Sequence, residues 1–285
     1  IDETDLNNKF NELKKICNVE LNYNKTNIPN YSHFIKGAEI NKFKIEELSS
    51  FHSFKAKNEI KKNSMSTTFI KKFIEEGGKY CCYVKAKKIL KKEQYWEIVC
   101  NYKNKKSRLK AKRVFLCAGS IYTAHLLNKS KIKLKNKISN FKFHPMLKIV
   151  AEFDNKVQNG DENVHPFQIT EFYPDFIIGN ASSGKEFMDI NFYNTNLNPN
   201  KSNWENKLIY HVTYSFGEGN VFSIFDNPLV DYRIDEKNIK IIRKSLQIAS
   251  KVLFDGGAKK LTVLNNEPID LLKNNYENII KSINM

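Results

Sequence analysis

The sequence predicts an α/β layer with a strand meander inserted in it, followed by an α+β half in which a helix lies on a mainly antiparallel sheet. Three observations carry that expectation. "RVFLCAGSIYTAHLLNKS" (113–130) reads as an apolar strand, a small-residue turn at Ala118, Gly119 and Ser120, and a helix. From Phe167 to Tyr232 short apolar-alternating runs follow one another, as strands do. Ile239, Ile242, Leu246, Ala249, Val252 and Leu253 then recur at helical spacing, and Gly256-Gly257 stops the pattern. The texture changes near Asn140–Asp154, so residues 1–150 and 151–285 are expected as two domains.

Along the chain, residues 1–63 are polar and Asn/Lys-rich, with one helix expected around Leu6–Ile16. Ser64 or Ser66 can cap a second helix with an apolar face of Phe69, Ile70, Phe73 and Ile74, ended by Gly77-Gly78. "KYCCYVKAKKIL" reads as extended, and "YWEIVCNY" and "RLKAKRVFLCAGS" read as strands around a basic turn. A helix is expected from about Ile121 to Leu127, the preceding strand running directly into it. "FQITEFYPDFII", "FMDINFYNT" and "LIYHVTYSFGEGNVFSIFDNPLVDY" read as strands, with "GEGN" as a hairpin turn, and residues 165–232 are expected in one sheet. The Asn238–Phe254 helix should pack on that sheet.

Composition excludes several classes of function. The net charge is +16, yet all but four of the 47 basic residues are lysines dispersed along the chain. Recognition of bases and phosphates favours arginine's planar fork, so a nucleic-acid partner is not expected. The five cysteines (17, 81, 82, 100 and 117) form no CxxC and suit a reducing compartment such as the cytoplasm. The six histidines (33, 52, 125, 144, 165 and 211) lack ligand spacing, so no metal site is expected. No apolar run is long enough to span a membrane.

The order of segments resembles the glucose-methanol-choline (GMC) family of flavin oxidoreductases over about Asn63–Leu261. "KNSMSTTFIKKFIEEGG" is similar to the family's glycine-ended helix, and "YVKAKKI" to its strand "V-x-T-x-A-x-V-x-x-I". "VFLCAGSIYTAHLLNKS" resembles "V-I-L-C-A-G-A-x-x-T-P-x-L-L-x-x-S", and "NFKFHP" resembles "N-L-x-D-H-P", with Phe143 in place of the acid. "NPLVDYRIDEKNIKIIRKSLQIASKVLFDGGAKKL" looks like the family's substrate-domain strand and long helix.

The resemblance implies a partial FAD-binding, Rossmann-like domain followed by a substrate domain. It implies FAD as cofactor, with Ala86 on the strand that meets the adenine and with Ala118, Gly119 and Ser120 at the turn against the cofactor. A bulky side chain at Gly119 is expected to occupy the cofactor's space. The substrate implied is a small alcohol, including a sugar hydroxyl, oxidised by hydride transfer to the flavin. The family's G-x-G-x-x-G unit and its active-site histidine segment are absent from this sequence, which reads as a central piece, inactive and colourless alone, with no catalytic residue assigned. His144 reads as a structural hydrogen-bonder, and His211 as facing a cavity or solvent, a candidate substrate contact. The alternative is a noncatalytic α+β module that engages an acidic polymer through its lysines.

Overall fold

The computed structural model describes residues 2–17, 29–48, 52–56, 59–132, 140–158, 167–181, 184–193, 203–224 and 226–282. First come helices α1 (Glu3–Ile16) and α2 (Pro29–Ile40), strands β1 (Ile45–Glu47), β2 (His52–Ala56) and β3 (Glu59–Lys62), and α3 (Phe69–Glu75). A meander of β4 (Val84–Lys91), β5 (Trp96–Tyr102) and β6 (Lys105–Ala111) leads to α4 (Gly119–Ser130). Next are β7 (Asn140–Lys142), β8 (Met146–Glu152), β9 (Phe167–Ile169), β10 (Phe176–Asn180) and α5 (Lys185–Tyr193). They are followed by β11 (Lys207–Tyr214), β12 (Glu218–Ile224), β13 (Asn227–Tyr232), α6 (Glu236–Asp255), β14 (Lys260–Val263), β15 (Ile269–Leu272) and α7 (Tyr276–Ser282).

These elements, mixed helices and sheets as the sequence predicts, gather into two compact units that interleave along the chain. The first unit comprises 1–72, 145–215 and 236–285, and the second comprises 73–144 and 216–235. No single cut at residue 150 separates them, because each unit takes segments from both sides of it.

The first unit is built on a seven-stranded sheet in the order β1-β9-β10-β11-β8-β14-β15, with every pair antiparallel. Its strands pack under α2 and α6. Phe34 of α2 stacks on Tyr210 of β11 with ring centroids 5.6 Å apart, and Tyr214 shares a 2.7 Å hydrogen bond with Ser245 of α6. The apolar stripe of α6 explains the docking: Ile242, Leu246, Ala249, Val252 and Leu253 are all buried. Burying a leucine or isoleucine side chain stabilises by about 1.5–3 kcal/mol. The two helices approach closely, since a Cβ on Gly37 would lie 2.0 Å from the Val252 carbonyl oxygen. A second small core joins Val150 and Ile209 of the sheet to Met188 and Phe192 of α5.

The second unit holds two three-stranded antiparallel sheets, β4-β5-β6 and β13-β12-β7, tied together by α4. Ser130, near the end of α4, accepts the Ile89 amide of β4 at 2.8 Å and donates to the Leu126 carbonyl at 2.6 Å. On the other side of α4, the Asn128 amide donates to the Val221 carbonyl of β12 at 3.3 Å.

Several expectations are corrected. Arg113–Cys117 is irregular rather than a strand, and Phe115 is 85% exposed. An apolar run becomes a strand only when a neighbour satisfies its amides and carbonyls, and none of the described strands pairs with it. Residues 187–193 of "FMDINFYNT" are helical, because Met188 and Phe192, one turn apart, bury together; residues 194–195 lie outside the described set. The described strands between residues 165 and 232 fall in two sheets, with β9, β10 and β11 in the larger and β12 and β13 in the smaller. "GEGN" is therefore no hairpin turn: Gly217, at φ 149°, makes the corner, and Glu218–Asn220 pair with β7. The Phe69–Ile74 helix is present, but Ile70, Phe73 and Ile74 of its apolar face are exposed.

Among the described residues no helix is long and apolar enough to cross a membrane. Nor is any group of three or more His, Cys, Asp or Glu placed among them to hold a metal ion.

Candidate functional site

A cleft of about 330 Å³ opens within the second unit, between the outer edge of the meander and the N-terminal half of α4. Strand β4 supplies Val84 through Lys87, and the start of α4 supplies Ala118, Tyr122 and His125. Lys129 and Asp226 close the far side.

Local backbone chemistry aims these groups. The β4–β5 register slips between Ala86 and Lys88, a bulge that leaves Lys87 without a direct partner. A bulge bends a strand and turns a side chain out of the regular pleat. Gly119 begins α4 at φ 78°, a left-handed backbone that glycine adopts without steric cost. Ala118 stands at the cap position with no side-chain hydrogen bond to the first turn, so the helix start relies on backbone alone. Unpaired amides at a helix start carry partial positive charge. On α4, Tyr122, His125 and Lys129 lie at helical spacing and share the face toward the cleft.

Asp226 organises the charges. Lys129 Nζ lies 2.8 Å from its Oδ1, and Lys87 Nζ lies 3.4 Å from its Oδ2. The hydrogen bond and the charge of Lys129, followed by the charge of Lys87, hold its carboxyl below the usual carboxylate range. Two cations against one carboxylate leave the rim positive, and Lys85 adds to it. His125 Nδ1 shares a 2.8 Å hydrogen bond with Ser223 Oγ. Burial, with the Lys129 charge beside it, pushes its imidazole below its ordinary value, so it is neutral near pH 7. The arrangement suits a flat ligand that lies on small side chains and carries negative charge at one end.

Of the sequence-predicted residues, Ala86 and Ala118 line this cleft together, both exposed. Gly119 and Ser120 stand beside it at the first turn of α4, and neither is among its lining residues. A Cβ built on Gly119 meets no protein atom within 4 Å, so the constraint that the chain itself places on Gly119 is its left-handed backbone. His144 is exposed just past β7. His211 lies in β11 of the first unit, opposite Gly179 and Lys148, and its imidazole is pushed down by burial.

The sequence reading missed Lys87, His125, Lys129 and Asp226. Helical spacing from Tyr122 through His125 to Lys129 could have found two of them. Asp226 reaches the cleft from the β12–β13 turn, and no local pattern marks it.

The chain has relatives among known proteins. Residues 5–146 match a family described as GMC oxidoreductase, so the match also takes in the polar, Asn/Lys-rich N-terminal stretch. Over 211 residues the chain is 24% identical to an uncharacterized GMC-type oxidoreductase of Sinorhizobium fredii. That alignment covers 70% of this chain and 42% of the relative, so the chain spans less than half of the relative's length.

Proposed function

We propose, from the premise that this chain belongs to the GMC oxidoreductase family through residues 5–146, that the cleft of the second unit receives the adenosine end of FAD. The observation that carries this reading is the meeting of Ala86 and Ala118, from a strand and a helix far apart in the chain, on one open surface. The residues fit the group. Small side chains leave room for a planar base, Tyr122 offers a ring for stacking, and the Lys85, Lys87 and helix-start charges favour phosphate. Gly119 and Ser120 supply the first turn of the helix that faces it.

When bound, the flavin supplies the hydride acceptor for oxidation of an alcohol. The protein's part here is to bind and orient: β4 offers its edge, α4 its N-terminus, and Asp226 holds the two lysines apart from the base. We read the substrate as a small alcohol, including a sugar hydroxyl, met by the sheet of the first unit, where His211 is a candidate contact. We read residues 1–150 as chiefly serving the flavin and 151–285 as chiefly serving the substrate, with Asp226 reaching the flavin cleft from the second half. Five cysteines without a disulfide support a reducing compartment, the cytoplasm.

The test is ligand-observed NMR of FAD and of adenosine monophosphate with this chain, which detects weak complexes. Both ligands should bind and compete, and Ala118→Trp or Ala86→Trp should weaken both at least tenfold, about 1.4 kcal/mol. Binding untouched by either substitution removes the cleft from the flavin site.

A further inference from the structure

We propose that Cys81 and Cys82 form a vicinal dithiol site for a trivalent thiophilic centre of the arsenic(III) class. The two are neighbours in sequence, both are exposed and neither is in a disulfide, whereas Cys17 and Cys100 are buried. Their backbone is held. A turn over Cys82 and Tyr83 places Tyr83 at φ 61°, and the Tyr83 carbonyl accepts the Lys103 amide at 3.3 Å. The pair therefore sits on an anchored turn immediately ahead of Val84, a residue of the cleft.

Geometry selects the chemistry. Adjacent Cα atoms are about 3.8 Å apart, closer than the roughly 4.4–6.8 Å at which disulfides form without strain. A direct sulfur–sulfur bond is thus disfavoured, while a single atom bridging the two sulfurs closes a larger and more relaxed ring. A structural zinc site needs about four ligands, and no third His, Cys, Asp or Glu joins the pair among the described residues. What remains is a soft centre satisfied by two protein sulfurs, which thiolates prefer.

Phenylarsine oxide is the probe. Each thiol gives up its proton, two arsenic–sulfur bonds form, and the arsenic–oxygen bond breaks. The oxygen leaves as water with both protons, and arsenic stays trivalent throughout. Because the second sulfur binds intramolecularly, the chelate should outlast any single-thiol adduct.

The experiment uses this chain in its native state. A thiol-reactive disulfide should titrate the three exposed cysteines, 81, 82 and 117. After one equivalent of phenylarsine oxide it should titrate one, and intact mass should rise by one phenylarsenic group. Dithiothreitol should reverse the change, and an equal thiol concentration of 2-mercaptoethanol should not. Cys81→Ser and Cys82→Ser should each weaken retention at least about a hundredfold, and Cys117→Ser should leave it intact. A variant that lost its fold would show extra reactive thiols from Cys17 and Cys100. Retention equal to that of the parent in either single variant overturns the proposal. So does loss of retention in Cys117→Ser, or three thiols still reactive after treatment.

Discussion

Ser130 and Ile89 are joined by a buried hydrogen bond of 2.8 Å, the serine hydroxyl accepting the strand's amide. It satisfies a backbone donor on the outer edge of β4, where no strand among the described residues pairs. Ser130→Ala leaves that amide orphaned and should destabilise the chain by about 1–3 kcal/mol. Urea denaturation should show the midpoint falling with the slope unchanged. A neutral outcome means that water reaches Ile89.

Asp226 holds Lys87 and Lys129 at the rim of the cleft. Asp226→Asn releases both lysines and removes one negative charge. Stability should change little, because the pair is solvent-exposed. Affinity for adenosine monophosphate should rise several-fold at low salt, and the gain should shrink as salt is added. Unchanged affinity separates the lysines from the phosphate.

His125 and His211 both have imidazoles pushed below the ordinary value, first by burial. The folded chain therefore binds fewer protons than the unfolded chain through the range below about pH 6.5. The stability contribution is full above that range and is lost as the pH falls through the depressed values. Asp226, also depressed, gives way only at lower pH, below the ordinary carboxylate range. The thermal midpoint should drop between about pH 7 and 5, and His125→Asn with His211→Gln should flatten that slope. A slope equal to the parent's assigns the acid sensitivity to other groups.

Two glycines should respond to alanine for different reasons. At Gly37 the added methyl meets the Val252 carbonyl oxygen at 2.0 Å, so α2 and α6 must separate. At Gly119 it meets nothing within 4 Å, and only the left-handed backbone resists. Gly37→Ala should cost about 1–3 kcal/mol or more, and Gly119→Ala about 1–2 kcal/mol. Differential scanning calorimetry compares them directly. A larger loss at Gly119 means that its surroundings are tighter than this geometry.

The legible parts of the fold were those encoded by one segment alone. Helix α6 announces itself through Ile242, Leu246, Ala249 and Leu253, since a single stripe decides which face is buried. Helix α4 was readable as well, though it extends beyond Ile121–Leu127 at both ends. "FMDINFY" satisfies both a period of two and a one-turn pair, and only the Val150–Ile209 surface beneath it resolves the choice. Arg113–Cys117 failed for a complementary reason, because strand formation depends on a partner that the run itself does not specify. At the cleft, Ala86 and Ala118 were found through the family resemblance. Asp226 owes its place to a turn whose position follows from the pairing of β12 with β13, a long-range fact.

The interleaving of the two units constrains how this polypeptide is made on the ribosome. Strand β1 pairs with β9, joining Ile45 to Ile169, and α2 packs against α6. A nascent chain that has just emerged through residue 62 thus carries Phe34 and β1 before Tyr210 and β9, which they meet in the fold, are synthesised. Those side chains must stay shielded until β8 through β11 appear, and α2 finds its seat only after α6 has cleared the exit tunnel. Such long closures slow folding. The second unit can settle α4 onto β4 much earlier, but β7 must wait for β12. In the cell this chain should therefore lean on chaperones that hold its N-terminal third, and slowing translation ahead of residue 236 should lower its yield.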